Sequence, residues 1–195
     1  MQTEKFIENG ITEMLKADKD TSLKRSLLET SERNITAHLR GHLDQIGCSF
    51  EGNKYQIDND YNRIGMGNIP KNLSPECLSL RKKNGYVVPD IVVHLRGIEI
   101  KDNQNANWLV IEVKKIPNFS GVVENIKNKK QKENLKYDIQ KLNCFKKDER
   151  FKYKQSASIV FSNNGIWISL NDEQFKKLNI TTKHGINSLG HSMSK

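Results

Sequence analysis

Apolar residues recur at helical spacing twice near the start of the chain. In residues 4–16 they are Phe6, Ile7, Ile11, Met14 and Leu15, which predicts an amphipathic helix. The polar run 17–22 interrupts it. From Leu23 the positions Leu27 or Leu28, Glu32, Ile35, Leu39, Leu43 and Ile46 repeat at the same spacing and end at Gly47. Glu32 then lies on the apolar stripe. The alternative is that Thr30 or Ser31 caps a fresh helix, which makes Glu32 a first-turn acid favoured by the helix dipole.

The period then changes. Residues 55–61 alternate and predict a strand, and 62–83, rich in Gly, Pro and Asn, reads as a loop. Its Gly65-Met-Gly67 is too short to bind phosphate as a motif. Two apolar strands follow at 86–94 and 108–115, separated by the mostly polar 96–107. A helix over 132–145 carries Leu135, Ile139 and Leu142 on one face. Strands at 157–161 and 166–170 are joined by Ser162-Asn-Asn-Gly165, a hairpin turn signal. Asn171 or Asp172 is expected to cap a short helix ending near 178. This order predicts a mixed sheet flanked by helices, of α/β or α+β type. The 195 residues suit one domain: a helical extension to residue 20, a core over 22–180 and a tail over 181–195.

Composition adds a class and a partner. With 35% hydrophobic and 28% charged residues the chain should be globular and soluble. No apolar run approaches the roughly 20 residues of a membrane span, and the first residues lack the pattern of a secretory signal. Cys48, Cys77 and Cys144 are odd in number and far apart, which predicts reduced thiols in a cytoplasm. Net charge is +9, and residues 127–154 hold eleven Lys or Arg against four Asp or Glu. Alone, such a run reads as a solvated helix face. Directly after a suspected site, it points to nucleic acid.

That site comes from charges in the wrong place. Asp90 interrupts one apolar strand, and Glu112 and Lys114 interrupt the other; charges seldom go where burial is expected unless paired or bound to metal. If the strands form a hairpin centred near Lys101, residues whose numbers sum to about 202 pair. Asp90 then faces Glu112 and Val88 faces Lys114, so the three charges share one side. The other side shows Val87, Ile91, Val93, Leu109, Ile111 and Val113. Pro89 cannot donate to a ladder, so the strand bends or lies at an edge there. Facing carboxylates repel, and a hard divalent ion such as Mg²⁺ or Mn²⁺ resolves the conflict. Lys114 beside it could orient water and offset charge on a phosphate. A buried ion pair with no chemistry is the plainer reading of each strand taken singly.

Pro89-Asp90 followed, after 21 intervening residues, by Glu112-Val113-Lys114 resembles the signature of the PD-(D/E)xK nuclease superfamily. The matching order runs from the Glu32 helix to the strand near Phe161. The resemblance implies a restriction-endonuclease-like core and hydrolysis of phosphodiester bonds with Mg²⁺ or Mn²⁺. It implies Asp90, Glu112 and the Val113 carbonyl as metal ligands, Lys114 as the catalytic lysine and Glu32 as the helical glutamate of the site. Lys115, Lys136, Gln140 and Arg63 are the residues expected to meet nucleic acid, DNA rather than RNA. Duplex cleavage would call for a homodimer. The glutamine–tyrosine signature of one branch is missing, since Leu135 follows Gln131 by four residues and Cys144 follows Gln140. The rival from another class is a nuclease-like fold that binds nucleic acid or protein without cutting.

Lesser candidates have plainer readings. His38 and His42, one turn apart, lack a third ligand. His94 ends the Asp90 strand and is more often structural. Trp108 and Trp167 read as core, and Asp138 pairs with Lys141 three residues on.

Overall fold

The computed structural model describes residues 2–17, 30–50, 52–59, 63–64, 69–70, 87–96, 105–171 and 174–180. Helix α1 (Thr3–Ala17) buries Phe6, Ile7, Ile11 and Met14 completely, with Glu4 in its first turn and Lys16 in its last, as the helix dipole favours. Helix α2 (Glu32–Ile46) starts at a Ser31 cap whose hydroxyl accepts from Asn34 N at 3.3 Å. It stops at Gly47, which has a φ of 70°. Glu32 is therefore a first-turn residue, the second of the two alternatives; residues 18–29 lie outside the described set. The helices touch closely: a Cβ at Gly10 would collide with the Leu43 side chain.

The strands are β1 (Cys48–Phe50), β2 (Asn53–Asn59), β3 (Arg63–Ile64), β4 (Ile69–Pro70), β5 (Ile91–His94), β6 (Asn107–Lys115), β7 (Gln155–Ser162), β8 (Gly165–Leu170) and β9 (Lys176–Lys177). Seven form one curled, mixed sheet of half-barrel form, in the order β1-β2-β5-β6-β7-β8-β9. Strands β3 and β4 form a separate pair. Among the described strands only β6 and β7 run parallel, and such a pair needs a long crossover. Helix α3 (Lys129–Lys147), capped by Asn128, supplies it.

Alternation along the strands divides the core between two faces. Ile91, Val93, Leu109, Ile111, Val113, Ala157 and Ile159 join α1 and α2 in the largest apolar cluster. Trp108 belongs to it, with its ring 5.5 Å from Phe6 and 5.9 Å from Tyr55. On the opposite face Val92 and Val110 pack with Leu142 and Phe145 of α3 and with Phe151 and Tyr153. The protein is thus of the α/β type, with helices on both sides of the sheet.

Four expectations are corrected. Residues 176–177 form a strand on the β8 edge rather than a helix, because the Leu178 N–H donates to the Ile166 carbonyl at 2.8 Å and extends the sheet. Val87 packs with the α3 face, not with Ile91 and Val93, since alternation lapses before the strand begins at Ile91. Helix α3 starts three residues earlier than expected, at the Asn128 cap. Cys144 is disulfide-bonded, not a free thiol, whereas Cys48 is free and buried. Cys77, the tail and the loop Gly65-Met-Gly67 lie outside the described residues. Among those described, no helix is long and apolar enough to cross a membrane.

Candidate active site

The β5–β6 hairpin has the expected register. Ile91 pairs with Ile111, Val92 with Val110 and Val93 with Leu109, each pair summing to 202; a bulge then shifts His94 onto Asn107. Asp90 stands just before β5. Its Oδ2 accepts from the Val113 N–H at 2.7 Å, so a side chain takes over where the backbone ladder stops after Pro89. Glu112 and Lys114 alternate with the buried Val113 and face away from the α1–α2 core.

Helices from both faces meet at this end of β6. The first turn of α2 brings Glu32, whose Oε1 accepts from Lys114 Nζ at 2.7 Å and whose Oε2 accepts from the Lys115 N–H at 3.1 Å. The Lys115 ammonium donates to the Thr30 carbonyl at 2.9 Å. From α3, Asp138 Oδ2 lies 2.9 Å from Lys114 Nζ. Lys141 Nζ lies 2.7 Å from Glu112 Oε2 and 3.5 Å from Asp138 Oδ1. It also donates to the Val88 carbonyl at 3.3 Å.

Asp138 and Lys141 pair as expected. Both are also buried, with side chains 6% and 8% exposed, and they complete the cluster. The signal lay in spacing: Asp138 falls three residues after Leu135 and four before Leu142, on the inward stripe of α3. Lys136 and Gln140, named for their shared face, are exposed, and Lys136 pairs with Glu124 at 2.7 Å. The Arg63 side chain lies outside the described residues.

Burial sets the electrostatics. Glu112 is 1% exposed, and desolvation raises its carboxyl well above the usual range; Lys141 opposes this, while Asp90 and Asp138 add to it. Burial also raises Asp90, outweighing the Val113 N–H and the attraction of Lys141 and Lys114. For Lys114, burial works against the cation, but Asp138 and Glu32 outweigh it and hold the amine charged. Held so, Lys114 is a hydrogen-bond donor and not a base.

The cluster fits a divalent cation in part. Four carboxylates (Glu32, Asp90, Glu112 and Asp138) face two lysines (Lys114 and Lys141), which leaves two formal negative charges. Glu112 Oε1 is buried without a partner, and so is Oγ of Ser158, the residue paired with Glu112 on β7. An orphaned acceptor in such a place calls for an occupant. Among the described residues no three His, Cys, Asp or Glu side chains converge on one metal position. An ion here would therefore rest on Asp90, Glu112, the Val113 carbonyl and water, as Mg²⁺ commonly does.

Comparison with family models, with curated proteins and with solved structures finds no match.

A second charged group lies along β2 and β5. His94 Nε2 is 2.8 Å from Asp58 Oδ2, and Arg96 also bonds Asp58. Burial would raise Asp58, but the hydrogen bonds from His94 and Arg96 outweigh it and leave it below its usual range. With His94 buried, the trio reads as a structural tie. His38 is exposed and His42 half-buried on α2. Trp167 is half-buried and lines a hollow of about 450 Å³ with Val122, Ile139 and Phe175; none of the candidate site's charges lines it.

Proposed function

We propose that this chain is a metal-dependent nuclease with a restriction-endonuclease-like core, hydrolysing phosphodiester bonds in nucleic acid, DNA in the first instance. The observation that carries the reading is the convergence of Asp90, Glu112 and Lys114 at one end of β6, where carboxylates outnumber lysines by two in formal charge. In open α/β sheets ligands favour the carboxyl ends of parallel strands, and β6 is half of the parallel pair. The exposed lysines of α3 supply salt-sensitive affinity for a polyanion.

Mg²⁺ or Mn²⁺, held by Asp90, Glu112 and the Val113 carbonyl, would supply Lewis-acid polarisation and an ionised water. The chain's own residues position and hold charge. Lys114 presents a cationic donor to a phosphate oxygen or to the attacking water, and it stays cationic because Glu32 and Asp138 flank it. Glu32 also grips the Lys115 N–H, which fixes α2 to the strand that carries the lysine. Asp90, tied to the Val113 N–H, orients its second oxygen.

Incubating the protein with plasmid and linear DNA plus Mg²⁺ or Mn²⁺ tests the reading. Cleavage by wild type and its loss in Glu112→Ala are expected; no cleavage, or equal cleavage by the variant, overturns it. One observation favours the second reading, a nuclease-like binding module: Glu112 already has a cationic partner in Lys141. Such a module would bind DNA in a salt-dependent way yet show no carboxylate-dependent Mn²⁺ site in calorimetry.

A further inference from the structure

Lys141 has an unusual set of neighbours for a buried lysine. Its ammonium lies 2.7 Å from Glu112 Oε2, on the side chain expected to hold the metal. Two further acceptors are already near, Asp138 Oδ1 at 3.5 Å and the Val88 carbonyl at 3.3 Å. The Tyr137 ring lies 6.0 Å away and covers one side. A buried ammonium that loses its only partner is strongly destabilised. This one would not be left bare, because Asp138 and Val88 would remain.

Glu112 completes the picture from the other direction. Its Oε2 is taken by Lys141, but its Oε1 is buried and unpartnered, as is the Oγ of Ser158, its register partner on β7. An incoming cation has a landing point before Lys141 moves at all. A divalent ion then outcompetes a single ammonium for the same carboxylate, since attraction scales with charge.

We propose that Lys141 is a built-in rival of the metal: it holds the cation position beside Glu112 in the metal-free chain, and loading shifts it onto Asp138 and the Val88 carbonyl. Lys141 thereby sets the metal concentration at which the site fills, and it keeps two buried carboxylates from driving the strands apart before then. The inference rests on the metal-site reading of Asp90 and Glu112. It makes Lys141 a positioning residue rather than a ligand.

Calorimetric titration with Mn²⁺ of wild type, Lys141→Met, Lys141→Arg and Glu112→Gln tests it. Without the rival cation, Lys141→Met should bind Mn²⁺ about tenfold or more tightly, the scale on which one nearby charge moves a carboxylate equilibrium. Lys141→Arg keeps the charge and should not tighten binding, and Glu112→Gln should abolish it. A Mn²⁺ site in Lys141→Met alone supports the proposal in its strongest form. A Glu112-dependent site that is equal or weaker in Lys141→Met overturns the proposal and leaves the metal reading standing. No Mn²⁺ site in either wild type or Lys141→Met overturns both. Should Lys141→Met fail to fold, wild type labelled with ¹³C-lysine gives the answer by NMR. The Lys141 Cε signal should move in step with Mg²⁺ saturation, and a signal that stays put while Mg²⁺ binds overturns the proposal.

Discussion

The two faces of the β5–β6 hairpin are made by alternate residues of the same strands, yet they differ in kind. One face carries Ile91, Val93, Leu109, Ile111 and Val113 into a dry core beneath α1 and α2. The other carries Glu112 and Lys114 into a network of acids and lysines completed by α3 and by the first turn of α2. The dry face is stabilised by area removed from water and is indifferent to detail beyond shape. The charged face holds groups whose desolvation opposes folding unless each has a partner. Towards its carboxyl end, β6 thus gives packing to Ile111 and Val113 and charge to Glu112 and Lys114.

Substitutions on the two faces should fail in different ways. The largest effect is expected for Glu112→Ala, which should lower Mn²⁺-supported DNA cleavage by about a thousandfold, on the scale of a lost charge-stabilising group. Retained cleavage would erase the functional distinction between the faces. Its neighbour gives the contrast. Ile111→Ala should cost about 2–5 kcal/mol of stability, read by urea unfolding, while each folded molecule keeps wild-type cleavage. Loss of cleavage in folded Ile111→Ala would show that the dry face also tunes the site.

A smaller effect separates the faces by pH. Asp90 has its folded-state pKa raised by burial, so the folded protein holds this proton more tightly than the unfolded chain does. The associated stability is fully present below the ordinary Asp range, near about 4, and is lost as pH rises through the raised value. Asp90→Asn does not titrate and can still accept from the Val113 N–H. Its melting temperature should therefore gain on wild type as pH rises from that range, and added Mg²⁺ should return the advantage to wild type. A difference that is flat with pH would contradict the assignment. The smallest effect belongs to the exposed side of α3. Lys136→Ala should leave folding unchanged and reduce the salt slope of DNA binding by about one, measured by fluorescence anisotropy. An unchanged slope would remove Lys136 from the contact surface.

Much of this contrast was legible from the residues themselves. The hairpin register followed from simple alternation about Lys101 and holds for three pairs, because a strand with one buried face has its register strongly set. Pro89 marked where the ladder ends. Glu32 stood out as an acid on an apolar stripe, though its role as a first-turn residue needed the Ser31 cap to settle. What escaped was tertiary. Lys136 and Gln140 looked better placed than Lys141 because the side of α3 that meets the sheet depends on the β6–β7 crossover, and its parallel sense cannot be read from local pattern. The edge strand β9 escaped for a related reason. Its two residues have no pattern of their own and take their conformation from pairing with β8.

The Lys114–Glu32 contact joins residues 82 positions apart, and the bond from Lys141 to the Val88 carbonyl spans 53. Contacts of such separation form late, after the loop entropy between them has been overcome. A nascent or half-folded chain would hold the helices and the hairpin without the assembled centre. Under the nuclease proposal, completion of the fold would then act as a safety catch. In refolding experiments the far-UV signal should recover ahead of Mn²⁺ binding, and simultaneous recovery would remove that protection.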